Sequence, residues 1–447
     1  MQRSRHGRNT PSRNPADVQL EGRPKQRAFC IAALPDGEDL SELQELLRTA
    51  GVAVVGQAVQ HRDQPHPNTY LGPGKVQEVR EAAKAADANI VACDDELSPR
   101  QERNLESELG LPVIDRTAII LDIFAGHANS ADGKLQVELA QLEYNLARMR
   151  GLWTHLERLG GVSSGGFATR GPGESQIETD RRLARDRIAT LRRRLERLER
   201  NREVMRARRR DSALSTVALA GYTNAGKSTL LNALTGAGVG VGERLFHTLD
   251  PTTRAYRHQG RRYLVTDTVG FIRKLPHQLV QAFKATLEET VLADLIVHVV
   301  DASEPEEGRR ESVAAVDSAL EEIGAGKAPR LVAFNKIDLL DAAEARELTI
   351  REPEAIAISA ATGQGLGELQ DRIGGAFEET LRPVELLLPY SEGGALAELH
   401  ELAGDLERED RPEGVVVKAR IPAAVAHRFA DFARNGLGPS SESNGSA

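Results

Sequence analysis

Gly221-Tyr222-Thr223-Asn224-Ala225-Gly226-Lys227-Ser228 has the spacing G-x-x-x-x-G-K-S, and its flanks decide how it folds. Upstream, Leu214-Ser-Thr-Val-Ala-Leu-Ala220 is aliphatic and β-branched, which predicts a buried strand. Downstream, Thr229-Leu-Leu-Asn-Ala-Leu234 predicts a helix. A strand, a glycine-rich turn and a helix start together make a cradle for phosphate. The turn aims backbone N–H groups inward, and the helix N-terminus adds its positive end. In such a loop Lys227 reaches the β- and γ-phosphates and the Ser228 hydroxyl holds Mg²⁺. A turn that served only the fold would have no need of the Lys-Ser pair.

Two further motifs select the nucleotide. Asp267-Thr268-Val269-Gly270 follows the apolar run Tyr263-Leu-Val-Thr266. An Asp at a strand end can hold Mg²⁺ through water, and the Gly270 N–H can meet a γ-phosphate. Asn335-Lys336-Ile337-Asp338 closes the strand-like run Arg330-Leu-Val-Ala-Phe334, at the edge where open α/β sheets bind ligands. Asp338 can accept from the N1 and N2 hydrogens of guanine, whereas adenine would leave that carboxylate desolvated and unpaired. Asn335 suits the base edge, and the Lys336 stem suits the base face. Ile356-Ala-Ile-Ser359 predicts the next strand, after which Ser359, Ala360 and Ala361 offer backbone N–H groups to complete a base pocket. The order of these motifs points to GTP rather than ATP. The switch stretch between them offers Thr248, Thr252 and Thr253 as Mg²⁺ ligands.

The rest of the chain frames this domain. It has 447 residues, 40% hydrophobic and 28% charged, with a net charge of −8, which fits a soluble, multi-domain protein. Two cysteines, Cys30 and Cys93, are too few and too separated for a disulfide framework, and both lie in apolar runs that predict buried, reduced thiols. No signal peptide or membrane-spanning run is legible, so a cytoplasmic protein is expected. Residues 1–27 read as a disordered basic tail and 437–447 as a disordered polar end. Residues 28–128 alternate strand-like and helix-like runs, predicting an N-terminal α/β domain with a parallel sheet. Within it, Gly72-Pro-Gly-Lys75 could be a second nucleotide loop or a plain turn before a helix.

Residues 129–210 predict an antiparallel helical hairpin. Leu135, Leu139, Leu142, Leu146 and Met149 form one seam, and Ile188, Leu191, Leu195 and Leu198 another. Between them lies a glycine-rich tip, 160–173. The second arm carries fourteen arginines against four acids over 181–210. A helix laced with i,i+4 ion pairs would balance its signs, so the excess points to a phosphate backbone, and arginine in particular suits RNA. The nucleotide domain spans 211–380, and a small α/β domain spans 381–436.

At this point the sequence resembles the HflX family of ribosome-associated GTPases. The residues that carry the resemblance are Leu245-Phe246-His247-Thr248-Leu249-Asp250-Pro-Thr-Thr253, Asp267-Thr-Val-Gly-Phe-Ile272, Leu275-Pro276, Arg170-Gly-Pro-Gly-Glu174 with Glu178 and Asp180-Arg-Arg182, and Val137-Glu-Leu-Ala-Gln-Leu142. The resemblance implies a P-loop GTPase fold and Thr248 as the Mg²⁺-binding switch threonine. It places Phe246, His247, Leu249 and Asp250 at the nucleotide, with His247 standing where the family usually has alanine. It implies slow, Mg²⁺-dependent GTP hydrolysis stimulated by ribosomes, through Lys227, Thr248 and Gly270. It also implies binding to the large ribosomal subunit and its RNA and separation of stalled ribosomes. A monomer is expected. Phe271 stands where many GTPases place the glutamine that orients the attacking water, so assistance must come from elsewhere, with the ribosome or a K⁺ ion on Asn224 as candidates. Two other readings compete: an RNA remodeller whose N-terminal domain uses ATP, and a GTP-dependent scaffold dimerising through the hairpin.

Overall fold

The structure is a computed structural model that describes residues 26–35, 39–149, 176–211, 214–236, 238, 245–246, 248–274, 276, 279 and 284–434. The basic tail through residue 25, the tip 160–173, the motif at 170–174, His247, Leu275 and the polar end 437–447 lie outside them. The chain forms two compact units, Met1–Ile119 and Ile120–Ala447. The division falls inside the helix Arg116–His127, earlier than the boundary at 128 expected from the sequence.

In the first unit β1 (Arg27–Leu34), β2 (Ala53–His61), β3 (Ile90–Cys93) and β4 (Val113–Asp115) form a parallel sheet in the order β2-β1-β3-β4. Parallel neighbours need crossovers, and α1 (Ser41–Thr49), α2 (Pro73–Ala85) and α3 (Pro99–Leu109) supply them. Cys30 and Cys93 are free and buried, and burial pushes the Cys30 thiol up to about 12, which keeps it protonated and unreactive. The Gly72–Lys75 turn is the start of α2: Gly72 donates its N–H to the Gln60 side chain at 2.8 Å, and Lys75 pairs with Glu78 at 2.9 Å. Pro73 fits the first turn because its missing N–H costs nothing there. The lysine a second nucleotide loop would need is thus engaged by its own helix.

The second unit begins in α4 (Arg116–His127). Helices α5 (Ala131–Arg148) and α6 (Gln176–Asp211, 36 residues) pack along each other. Their contact buries Leu139, Ile188 and Leu191, with Leu135, Leu142, Leu146 and Leu195 around them, which are the predicted seams without Met149 and Leu198. Glu138 and Glu143 of α5 pair with Arg187 and Arg192 at 2.6 and 2.7 Å.

Helix α6 leads into β5 (Ser215–Gly221), the centre of a six-stranded sheet ordered β10-β9-β8-β5-β7-β6. Its other strands are β6 (Thr252–His258), β7 (Arg261–Asp267), β8 (Leu295–Asp301), β9 (Arg330–Asn335) and β10 (Ile356–Ala357), and only β6 is antiparallel to its neighbour. The near-continuous burial of β5 and β8 is what a parallel sheet covered on both faces requires. Helix α7 (Lys227–Thr235) follows the glycine loop, and α8 (Lys284–Val291), α9 (Glu306–Glu322), α10 (Ala342–Arg351) and α11 (Leu366–Ala376) complete the layers.

The last segment is a three-stranded antiparallel sheet ordered β11-β13-β12, from β11 (Leu381–Leu388), β12 (Glu407–Arg411) and β13 (Gly414–Pro422), covered by α12 (Gly393–Ala403). Strand β12, Glu407-Arg-Glu-Asp-Arg411, carries no apolar alternation by which a strand could be read from sequence. The final run, Ala423–Phe432, folds as a 3₁₀ segment. The end of α12 packs on the β6–β7 turn, where a Cβ added to Gly260 would stand 2.7 Å from the Gly404 backbone. Arg261 donates to the Ala403 carbonyl at 2.9 Å.

One buried side chain makes the nucleotide domain sensitive to acid. His298 on β8 is 2% exposed, and burial, helped by Arg330, pushes its pKa from 6.5 down to about 4. Between those values the unfolded chain binds the extra proton, so stability is lost as pH falls from 6.5 towards 4. His298 should therefore lower stability by about 2 kcal/mol at pH 5 relative to pH 7.5. Denaturant melts of wild type and His298→Leu at both pH values check this: an equal pH response in the two proteins would rule it out.

Candidate nucleotide site

The loop between β5 and α7 is shaped by its glycines. Gly226 has φ 93° and packs against the Asn335 side chain, where a Cβ would collide with the amide. Gly221 lies against the Val299 carbonyl of β8. Asn224 is exposed with φ 62°, a left-handed conformation that asparagine tolerates better than most residues. Lys227 is buried, with Nζ 3.1 Å from the Gly221 carbonyl and 2.8 Å from the Tyr222 carbonyl. Desolvation brings its pKa down to about 8, opposed by the charge of Asp267. A phosphate brought to this ammonium would replace the solvation it lacks.

Three oxygens meet beside it. Ser228 Oγ lies 2.6 Å from Asp267 Oδ2 and 2.8 Å from Thr248 Oγ1, and Thr248 Oγ1 lies 3.0 Å from the same carboxylate oxygen. This is an all-oxygen set with one carboxylate, which suits Mg²⁺, an ion that keeps several waters and takes few protein ligands. Of the three candidate threonines only Thr248 joins it: Thr253 bonds Thr266 at 2.9 Å, and Thr252 opens β6.

Gly270 lies against the phosphate loop. A Cβ there would stand 2.8 Å from Thr223 Cγ2 and 3.1 Å from Lys227 Nζ, so no larger residue fits. The next residue zips the two loops together, since Thr223 donates to the Phe271 carbonyl at 2.8 Å and Phe271 donates to Gly221 at 3.1 Å. The Phe271 ring is buried among Ala220, Leu287, Ile296, Val316 and Leu320. It is a core residue and cannot approach an attacking water. Tyr222 reaches the same segment, its hydroxyl accepting from the Arg273 N–H at 2.8 Å.

The base-side residues divide. Asp338 is exposed in the short 3₁₀ turn Ile337–Leu339, set there by the left-handed Lys336 at φ 67°. Lys336 pairs with Asp301 at 2.6 Å. Asn335 donates to the Ala225 carbonyl at 2.8 Å and accepts from the Ala360 N–H at 2.9 Å. It ties the phosphate loop to the segment after β10, with one N–H and one lone pair left for a base. The Ala360 N–H is thereby spent, and the exposed residue beside it is Ala361. Ser359 is buried, its hydroxyl accepting from Thr362 at 3.1 Å.

Several residues expected at the nucleotide turn their side chains elsewhere. Phe246 and Leu249 are buried, and the Phe246 ring meets Phe124 edge-on at 4.6 Å. Thr268 bonds the Leu219 carbonyl at 2.7 Å, Val269 is buried, and the Asp250 carboxylate caps α5. Thr229 is half-buried in the first turn of α7. The Asp250 and Tyr222 bonds escaped the sequence because each joins positions whose pairing depends on tertiary packing.

Comparison with known proteins agrees with this geometry. Residues 37–125 match the family described as GTP-binding GTPase N-terminal, 127–209 the GTP-binding GTPase middle region, and 216–336 the 50S ribosome-binding GTPase. GTPase HflX of Lacrimispora saccharolytica is 45% identical over 415 residues, 92% of this chain and 96% of its own. GTPase HflX of Caldanaerobacter subterraneus subsp. tengcongensis is 43% identical over 414 residues, 92% and 94% of the two chains. GTPase HflX of Escherichia coli is 45% identical over 393 residues, 87% and 90%. With the phosphate loop after β5 and the exposed Asp338 after β9 in one sheet, and with this identity along most of its length, the chain belongs to the GTPase HflX family and is a GTPase.

Proposed function

We propose that this GTPase works on the ribosome: it binds the large subunit through RNA contacts of α6 and separates the subunits of stalled ribosomes. The observation that carries the reading is the charge of α6. Helix α5 neutralises Arg187 and Arg192, while Arg185, Arg193, Arg194, Arg197 and Arg200 present exposed side chains along one helix. A row of guanidinium groups matches a phosphate backbone, and the match of residues 216–336 to a 50S ribosome-binding GTPase supports ribosomal RNA as that backbone. In this reading Mg²⁺ sits on Ser228 and Thr248 and, through water, on Asp267. Mg²⁺ held there would supply positive charge to the phosphates, which Lys227 and the loop amides would hold while Gly270 offers its N–H to the γ-phosphate. Asp338 reads guanine. Since Phe271 is committed to the core, charge stabilisation would come from the ribosome or from a K⁺ ion that Asn224 would help to hold.

Sedimentation of ribosomes with the protein and GTP, GDP or a non-hydrolysable analogue, each in K⁺ and in Na⁺, tests this. Binding and subunit separation are expected with the analogue and not with GDP, and faster GTP turnover in K⁺. Replacing Arg193, Arg194, Arg197 and Arg200 by Gln should weaken binding and lower its log–log salt dependence by about 2 to 4. Unchanged ribosome binding in that variant would remove α6 from the interface. Subunits that stay joined under every nucleotide would remove the splitting activity.

A further inference from the structure

Asp250 follows Thr248 by two residues in the switch segment, yet its carboxylate is built into the start of α5. Oδ2 accepts from the backbone N–H groups of Asn129 and Ser130, at 3.0 and 2.8 Å. Oδ1 accepts from the Ser130 hydroxyl, which in turn accepts from the Gly133 N–H at 2.8 Å as the N-cap of α5. The first turn of α5 leaves room for this carboxylate: a Cβ on Gly133 would stand 2.6 Å from Asp250 Oδ1. One anion thus meets amides ahead of a helix whose positive end favours it. On the other side of Thr248, Phe246 is held at φ 56° with its ring against Phe124. The segment is pinned at 246 and at 250, and the hydroxyl between the pins is the one that reaches Ser228 and Asp267.

We infer that Asp250 is a positioning residue for Thr248, and that through it the start of α5 is part of the nucleotide switch. The inference rests on the reading of Thr248 as a Mg²⁺ ligand. Thr248 can close on Mg²⁺ and a γ-phosphate only while its neighbour stays seated on α5. When the γ-phosphate leaves and Thr248 lets go, the cap of α5 loosens. Coupling is reciprocal, so if the triphosphate tightens the cap, loosening the cap at Ser130 must weaken the affinity for Mg²⁺ with a triphosphate.

The test uses the full chain with Ser130→Ala, Asp250→Asn and Thr248→Ala, measuring the affinity of a non-hydrolysable GTP analogue and of GDP in Mg²⁺. Hydrogen exchange at residues 129–134 is followed in parallel. Ser130→Ala and Asp250→Asn should each weaken the analogue about 5- to 30-fold while GDP changes less than about twofold. The double variant should lose no more than the worse single one, since the two residues act as a unit. In wild type, exchange at 129–134 should be slower with the analogue than with GDP, and Asp250→Asn should abolish that difference. A cap with a purely structural role would lower the melting temperature and leave the analogue-to-GDP ratio alone. A wild-type ratio in both cap variants, with the ratio lost in Thr248→Ala, would overturn the coupling alone. A wild-type ratio in Thr248→Ala would overturn the Mg²⁺ reading and the inference with it. GDP binding at wild-type strength shows that each variant is folded.

Discussion

Replacing Lys227 by methionine is expected to stabilise the nucleotide-free protein while reducing its affinity for GTP and GDP by at least about two orders of magnitude. The two effects have one origin. Lys227 is buried, its pKa is held down to about 8, and its nearest partners are the carbonyls of Gly221 and Tyr222. The folded pKa lies below the unfolded value of 10.5, so the unfolded chain binds more protons between those limits. The penalty for burying the ammonium is fully present below pH 8 and is relieved as pH rises to 10.5. At pH 7 it comes to about 3 kcal/mol. Methionine has similar length and no charge, and removes one donor each from the Gly221 and Tyr222 carbonyls, which still accept from Phe271 and Ala225, at about 1 to 2 kcal/mol. A net gain of about 1 to 2 kcal/mol should remain. Thermal melts without nucleotide and calorimetric titration with GDP measure both halves. A variant less stable than wild type without nucleotide would refute the account of the loop as a strained cation waiting for phosphate.

Replacing Asp338 by asparagine should reduce GTP affinity about 10²- to 10⁴-fold and create affinity for xanthosine triphosphate. The Asp338 side chain is exposed at the end of β9, on a turn fixed by the left-handed Lys336. As a carboxylate it can only accept, and guanine presents two N–H donors to it. An asparagine in the same place turns one donor pair into donor against donor, which costs both the bond and the desolvation of the groups left facing each other. Xanthine has a carbonyl in place of the amino group and restores the match. Competition binding with the two triphosphates decides it. Equal loss of both would mean that Asp338 supports the loop and does not read the base.

The sequence carried the nucleotide domain well because its determinants are local. A strand, a glycine turn and a Lys-Ser pair lie within a few residues of one another, and the seams of α5 and α6 repeat with helical spacing. What stayed hidden depends on which distant surfaces meet. Asn335 reads as a base contact, yet its amide also bridges Ala225 and Ala360. Asp250 reads as one more nucleotide residue, and only packing shows that it belongs to α5. Strand β12 is invisible because an exposed edge strand can be charged at every position. The boundary near 120 eluded composition because α4 is one continuous apolar helix crossing it.

Helix α6 has a mechanical consequence. At 36 residues it is about 54 Å long, and it ends four positions before the strand that carries the phosphate loop. A tilt of about 10° at that end would sweep the other end through roughly 9 Å, about six residues' rise of the helix. A closure around a phosphate that tilted this end of the helix would be magnified several-fold at the other end.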